Sequence, residues 1–259
     1  MSIHHRLKNK VVMITGASSG IGYSTALAFA AEGAHLALGA RRCDKMKELA
    51  RLAHERYDVR VFTHPLDVCS TQSVTAFVEA AVVEFGNIDI LVNNAGLALG
   101  IAKVSEGSDE DWMTMLDTNV MGVLRVTRAM LPHLTKQAAG HIINLGSLAG
   151  HISYPGGSVY AGTKHALRAI SEALRQELLG QPIRVTSIDP GLVETEFSQI
   201  RFKGDADRAK KVYSGISPLT AEDIAECVIF AASRPTHVNI DTMIVTSIDQ
   251  AGMNVHRKS

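Results

Sequence analysis

The sequence predicts an α/β fold in which helices cover both faces of one doubly wound, parallel sheet of about seven strands. Three observations carry that expectation. Short apolar, β-branched runs alternate with longer helical stretches along all 259 residues. The first run, 10–15, leads straight into the glycine turn Gly16-Ala-Ser-Ser-Gly20-Ile-Gly22 and an alanine-rich stretch over 23–32. No repeat, low-complexity segment or long linker divides the chain, so residues 1–259 read as one domain, with 1–9 as a leader.

Strands are expected at 10–15, 35–39, 58–64, 88–93, 140–146, 182–188 and 241–246. The run 88–93 is almost continuously apolar, as when both faces of a strand are buried. Ser108 ahead of Asp111 and Thr220 ahead of Asp223 read as helix starts. Two long helices are placed near 109–135 and 158–179. The polar stretch 194–214 holds no strand and reads as a mobile lid over the substrate.

A strand, a glycine turn and a helix in that order suit a dinucleotide. Glycines let backbone N–H groups approach a pyrophosphate, and the positive helix end favours its charge. The spacing here is G-x-x-x-G-x-G, and no Lys-Ser or Lys-Thr follows as a P-loop requires. About 20 residues on, an acidic side chain would select the ribose hydroxyls of NAD. Arg41 and Arg42 stand there instead, and two guanidiniums suit the 2′-phosphate of NADP. The expected coenzyme is NADP(H).

Tyr160 and Lys164 lie four residues apart, on one face of a helix, with Ser147 just past the apolar run 140–146. A phenol ionises near pH ~10, and lowering that by about three units takes roughly 4 kcal/mol. A unit charge about 4 Å away supplies roughly that much at an effective dielectric near 20. The pair can therefore make an acid/base tyrosine, with Ser147 holding the oxygen that exchanges the proton. Most of these residues follow the carboxyl ends of strands, the edge at which open α/β sheets bind ligands.

Together these residues resemble the short-chain dehydrogenase/reductase family, which has a Rossmann-type fold, from about residue 10 to the C-terminus. The marks are Thr15-Gly-Ala-Ser-Ser-Gly-Ile-Gly22, Asp67-Val68, Asn93-Asn-Ala-Gly96, Asn119, Ser147, Tyr160-x-x-x-Lys164 and Pro190-Gly191. The resemblance implies that Gly16, Ser18, Ser19, Gly20 and Ile21 cradle the pyrophosphate. Asp67 and Val68 would flank the adenine, and Asn94, Ala95 and Gly96 would pass under its ribose. Pro190, Gly191, Val193 and Thr195 would wrap the nicotinamide end. It further implies a catalytic set of Asn119, Ser147, Tyr160 and Lys164, in which Asn119 anchors a water and Lys164 binds the nicotinamide ribose.

More narrowly, residues 195–205 and the tail 251–257 resemble the NADP-dependent serine and 3-hydroxy acid dehydrogenase group. This implies oxidation of a β-hydroxyl, or reduction of a 3-oxo acid or semialdehyde. The 190–195 loop is one residue shorter than expected for that group, and residues 1–9 are additional. The same chemistry would also serve a carbonyl reductase acting on a ketone, sugar, acyl-carrier or secondary-metabolite substrate. An NADP-sensing protein without catalysis is a third reading. The family implies a homotetramer built on the two long helices, with the tail 254–257 against a neighbouring subunit.

A small acidic substrate needs a cation, and Arg201 and Lys203 on the expected lid are the candidates. His151 and Tyr154, between Ser147 and Tyr160, are expected to border the pocket. Trp112 and Phe197 read as packing residues. Lys+Arg and Asp+Glu are both 26, so no charged field argues for nucleic acid or anionic membranes. Residues 137–163 lack acidic and basic side chains, yet glycines, Pro155 and histidines interrupt any apolar span. Three scattered cysteines, Cys43, Cys69 and Cys227, suggest reduced thiols in the cytoplasm, with neither a disulfide framework nor a metal site.

Overall fold

The strand β1 (Val11–Thr15) is buried along its whole length, as a Val-Val-Met-Ile-Thr run flanked on both sides requires. The computed structural model describes residues 6–253, and the tail 254–257 and residues 1–5 of the expected leader lie outside the described residues. The other strands are β2 (His35–Ala40), β3 (Val61–Pro65), β4 (Ile90–Asn93), β5 (Gly140–Leu145), β6 (Ile183–Pro190) and β7 (Thr242–Val245). They form one sheet in the order β3-β2-β1-β4-β5-β6-β7, and every pairing is parallel.

Helices α1 (Gly20–Ala31), α2 (Cys43–Tyr57), α3 (Thr71–Phe85), α4 (Asp109–Leu116), α5 (Gly122–Leu134) and α6 (Ser158–Glu177) come first in the chain. Then follow α7 (Phe197–Arg201), α8 (Ala206–Lys211) and α9 (Ala221–Ala232). Two apolar cores lie against the sheet, one around Ile14, Leu38 and Phe29, the other around Met13, Leu91 and Phe77. Alternate β1 side chains enter opposite cores, because successive strand residues face opposite ways. Strand order reverses between β1 and β4, which opens a crevice at the carboxyl ends of those strands.

Four details depart from the expectations. The helix placed at 109–135 is interrupted by a π-helical turn at Asp117–Met121. Residues 6–9 of the expected leader pack on the body: Leu7 is buried and Arg6 donates to the Ser233 carbonyl at 3.0 Å. Strand β3 begins at Val61 because Asp58, at φ 52°, ends α2 in the left-handed conformation. Strand β6 runs two residues past its expected end, carrying Asp189 and Pro190 into the sheet.

Candidate active site

The crevice is a cavity of about 560 Å³ that runs from Arg41 and Arg42 past the glycine turn to Ser147, Tyr160 and Lys164. That is within the usual range for a small-molecule site. Its floor is made by the ends of β1 and β4. Thr15 Oγ1 accepts from the Asn94 and Ala95 N–H groups at 3.1 and 3.0 Å. The Asn94 amide donates to the Thr15 and Gly16 carbonyls at 2.9 and 3.1 Å. A Cβ at Gly22 would lie 2.4 Å from Asn94 Nδ2, and Gly16 has φ 69°. The glycines are thus needed to bring the turn onto β4. The Asn94 side chain holds that turn, while Ala95 and Gly96 line the cavity beside it.

At the adenosine end, Asp67, Val68 and Cys69 line the wall, and Arg41 stands exposed on the rim. Arg42 behaves differently from the expectation of a free pair. Its guanidinium donates to Ser18 Oγ at 3.2 Å and to Ser19 Oγ, and it pairs with Glu196 at 2.7 Å. Lys45 meets the same carboxylate at 2.8 Å. These two cations hold the Glu196 carboxyl down to about 2, against the opposing effect of burial. Glu196 and Lys45 are 151 residues apart, and nothing in the sequence announces their contact.

At the other end, β6 delivers Pro190 and Gly191. A Cβ at Gly191 would lie 2.2 Å from Gln250 Oε1, which accepts from the Leu192 N–H at 2.8 Å. Val193 bridges to Leu219, and Thr195 lies 3.3 Å from where a Gly20 Cβ would stand. The 190–195 loop therefore closes over the glycine turn. Residues 194–214 hold α7 and α8, and the Phe197 ring packs on Tyr160 with centroids 5.8 Å apart. Phe197 lines the cavity, whereas Trp112 packs beside Met115 and Val159.

The π-helical turn carries Asn119, which is buried. Its side chain accepts from the Leu97 N–H at 2.9 Å and donates to the Leu97 carbonyl and Thr163 Oγ1 at 2.8 and 3.1 Å. Asn119 thus ties the chain after β4 to α6, next to Lys164. Ser147 caps the short helix Leu148–Gly150, accepting from the Ala149 N–H at 3.1 Å.

Helix α6 sets Tyr160 and Lys164 on one face, but the lysine turns from the phenol. Its Nζ donates to the Leu145 carbonyl at 2.8 Å and stands 6.0 Å from the Tyr160 ring centroid. Burial pushes the Tyr160 phenol up to about 12; Ser147 and then Arg201 oppose that rise, and Tyr154 adds to it. Tyr160 is half-buried and lines the cavity, with Phe197 packed on its ring. Burial also pulls Lys164 down to about 8, with Asp189 opposing. The expected lowering of Tyr160 by Lys164 is therefore corrected. Within the protein alone, loss of solvation outweighs an ammonium turned toward a carbonyl.

Of the expected substrate residues, Tyr154 and Arg201 line the cavity. Arg201 donates to Tyr154 Oη at 2.7 Å and to the Gly100 carbonyl at 3.1 Å, and its guanidinium lies 5.8 Å from the Tyr160 ring centroid. Lys203 is corrected: it faces outward and pairs with Asp111 of α4 at 3.0 Å. His151 is corrected too. It turns behind the cavity wall and meets Asp189 at 2.5 Å. Asp189 itself was not anticipated, although an acidic residue closing an apolar strand is a legible signal of a buried charge.

The cavity fits a dinucleotide bearing a 2′-phosphate. The glycine cradle is open to the cavity, no acidic side chain closes β2, and Arg41 faces the rim where that phosphate would lie. No group of three metal-ligating side chains occurs among the described residues. A family model described as short chain dehydrogenase matches residues 10–206. Over 98% of both chains, the sequence is 47% identical to an NADP-dependent 3-hydroxy acid dehydrogenase of Schizosaccharomyces pombe. It is 41% identical to a serine 3-dehydrogenase of Agrobacterium fabrum, over 96% of this chain and 98% of the other. A solved closed form of serine dehydrogenase complexed with NADP+ superposes with a TM-score of 0.89 at 42% identity, covering 96% of this chain and all of that one.

Proposed function

The chain belongs to the short-chain dehydrogenase family, and from that premise we propose that it is an NADP-dependent oxidoreductase of small β-hydroxy acids. Serine-type and 3-hydroxy acid substrates are oxidised to the corresponding semialdehyde or 3-oxo acid, and the reverse reaction reduces them. Names of similar proteins support the coenzyme and the substrate class. The observation that carries the reading lies in this chain: a guanidinium, Arg201, reaches the same cavity wall as the phenol of Tyr160.

Arg41, Ser18, Ser19 and the N–H groups of the glycine turn hold the coenzyme's phosphates, and 190–195 holds its nicotinamide end. Bound coenzyme supplies or accepts the hydride. Tyr160 as phenolate takes the proton of the substrate hydroxyl, and as phenol returns it in reduction. Ser147 holds the reacting oxygen, and Arg201 with Tyr154 orients the carboxylate. Lys164 contributes positive charge behind the phenol, and Asn119 fixes the α6 segment that bears it.

Residues 194–214 serve as the lid. Arg201 and Lys203 fasten it to the body from one side, Glu196 from the other. Met113, Leu116, Met121 and Leu124 expose apolar surface on α4, α5 and the turn between them, which supports assembly of a homotetramer through these helices. Three free cysteines accord with the cytoplasm, and no helix among the described residues is long and apolar enough to cross a membrane. A spectrophotometric panel of 3-hydroxy acids, amino-alcohols and neutral ketones with NADP(H) tests the reading. The 3-hydroxy acids should give the highest kcat/KM; a clear preference for neutral carbonyls would assign the carbonyl reductase instead.

A further inference from the structure

Strand β6 carries a buried charge, Asp189, one residue before its end. Asp189 is 1% exposed. Its Oδ1 accepts from Ser187 Oγ at 2.5 Å, and its Oδ2 accepts from His151 Nε2 at 2.5 Å. Gly146, just past the end of neighbouring β5, makes room for it: a Cβ there would lie 1.9 Å from Asp189 Oδ1. Gly146 directly follows Leu145, whose carbonyl accepts from Lys164 Nζ at 2.8 Å. The carboxylate thus lies against the backbone segment that holds the lysine. His151 reaches it from the end of the Leu148–Gly150 turn, which is pressed on the lysine's own main chain. A Cβ at Gly150 would stand 2.9 Å from the Lys164 carbonyl oxygen.

Three elements therefore converge behind the tyrosine: β6 through Asp189, the 148–150 turn through His151, and α6 through Lys164. An isolated buried carboxylate is costly, and so is an isolated buried ammonium; each lessens the other's cost. We propose that Asp189, oriented by His151, is a positioning residue for Lys164, its buried negative charge keeping the lysine protonated behind Tyr160. The direction agrees with the opposing effects on Lys164, which burial pulls down and Asp189 raises. Tyr160 on α6 is in turn acted on by Tyr154, which lies between the 148–150 turn and α6, and by Arg201 of the lid. The proposal rests on the dehydrogenase reading, since the charge on Lys164 matters to turnover only if Tyr160 exchanges the proton.

The test reads Lys164 directly. Full-length protein labelled with [13Cε]lysine is titrated by NMR, with the Lys164 resonance assigned through Lys164→Arg. In Asp189→Asn, which keeps the shape of the side chain, the Lys164 midpoint should fall by about one pH unit. Turnover near pH 7.5 should fall about threefold, while NADPH affinity by fluorescence changes less than about twofold. His151→Gln retains a donor and should keep the wild-type midpoint. His151→Leu removes the donor and should shift the midpoint the same way as Asp189→Asn. An unmoved midpoint in Asp189→Asn overturns the proposal; if that variant does not fold, an unmoved midpoint in His151→Leu does so. Wild-type protein without NADP-linked turnover would instead remove the dehydrogenase reading, leaving the midpoint shift to be judged separately.

Discussion

The ammonium nitrogen of Lys164 stands 6.0 Å from the centroid of the Tyr160 ring and points at the Leu145 carbonyl. A half-buried phenol and a buried ammonium, each disfavoured as an ion, sit one helical turn apart. The phenol is pushed up to about 12 and the ammonium down to about 8. Against the effect of burial, Ser147 favours the phenolate through a hydrogen bond and Arg201 through its charge.

Tyr160→Phe should abolish turnover and leave NADPH binding intact, because only the exchangeable proton is lost. Lys164→Met should lower kcat by about 10²–10⁴-fold, the usual range for loss of a proton-transfer group or its support. Steady-state kinetics beside a fluorescence titration with NADPH checks both. Full activity in Tyr160→Phe would remove the proton role.

Arg41→Ala should lower kcat/KM for NADPH about 10–100-fold and leave NADH nearly unaffected, since a hydrogen bond to a charged group contributes about 1.5–3 kcal/mol. Arg42→Ala should also loosen the 190–195 loop by releasing Glu196, and so weaken both coenzymes. An unchanged NADPH/NADH ratio in Arg41→Ala would place the 2′-phosphate elsewhere.

Arg201→Met should raise KM for 3-hydroxy acids about tenfold or more and affect neutral carbonyls less, because only the former present a carboxylate. Arg201 also favours the phenolate of Tyr160. The rise of oxidation rate with pH should therefore move to higher pH in this variant. Equal losses on acidic and neutral substrates, with no pH displacement, would reject both roles.

Stability should fall as the pH drops below about 6.5. His141 on β5 is 2% exposed, and burial, together with Arg184, holds its pKa well below 6.5. Thr186 Oγ1 donates to the Ile240 carbonyl at 2.7 Å, so His141 Nε2–H donates to Thr186 at 2.8 Å and Nδ1 carries no proton. The unfolded chain takes up a proton that the folded one refuses. Stability from this residue is complete above 6.5 and is lost on acidification, by at most about 1.4 kcal/mol per pH unit. Urea midpoints between pH 7.5 and 5 should show the slope in wild type and a shallower one in His141→Asn; equal slopes would exonerate the imidazole.

The strand pattern was legible because parallel strands buried on both faces are near-continuous apolar runs, and 88–93 reads that way without any partner. The glycine turn was legible because strand, glycines and helix follow one another in the chain, with Gly16 at φ 69°; the room that Gly22 leaves for Asn94, just past β4, was not. Nor was the break at Asn119. A π-helical turn inside an amphipathic helix changes neither composition nor period enough to be seen in 117–121. The positions of His151 and Lys203 were misjudged for a related reason. Nearness in sequence to Ser147 or to Arg201 does not say which way a side chain turns.

By itself the sequence determined the succession of strands and helices along the chain, the glycine turn between β1 and α1, and the placing of Tyr160 and Lys164 one helical turn apart, since each is written in residues close together in the chain. Only the tertiary structure decided the electrostatics. Glu196 reaches Arg42 across 154 residues, Arg201 reaches Tyr154 across 47, and Asp189 meets His151 across 38. Charge interactions depend on distance and on how much water is excluded, and both are properties of the packed chain.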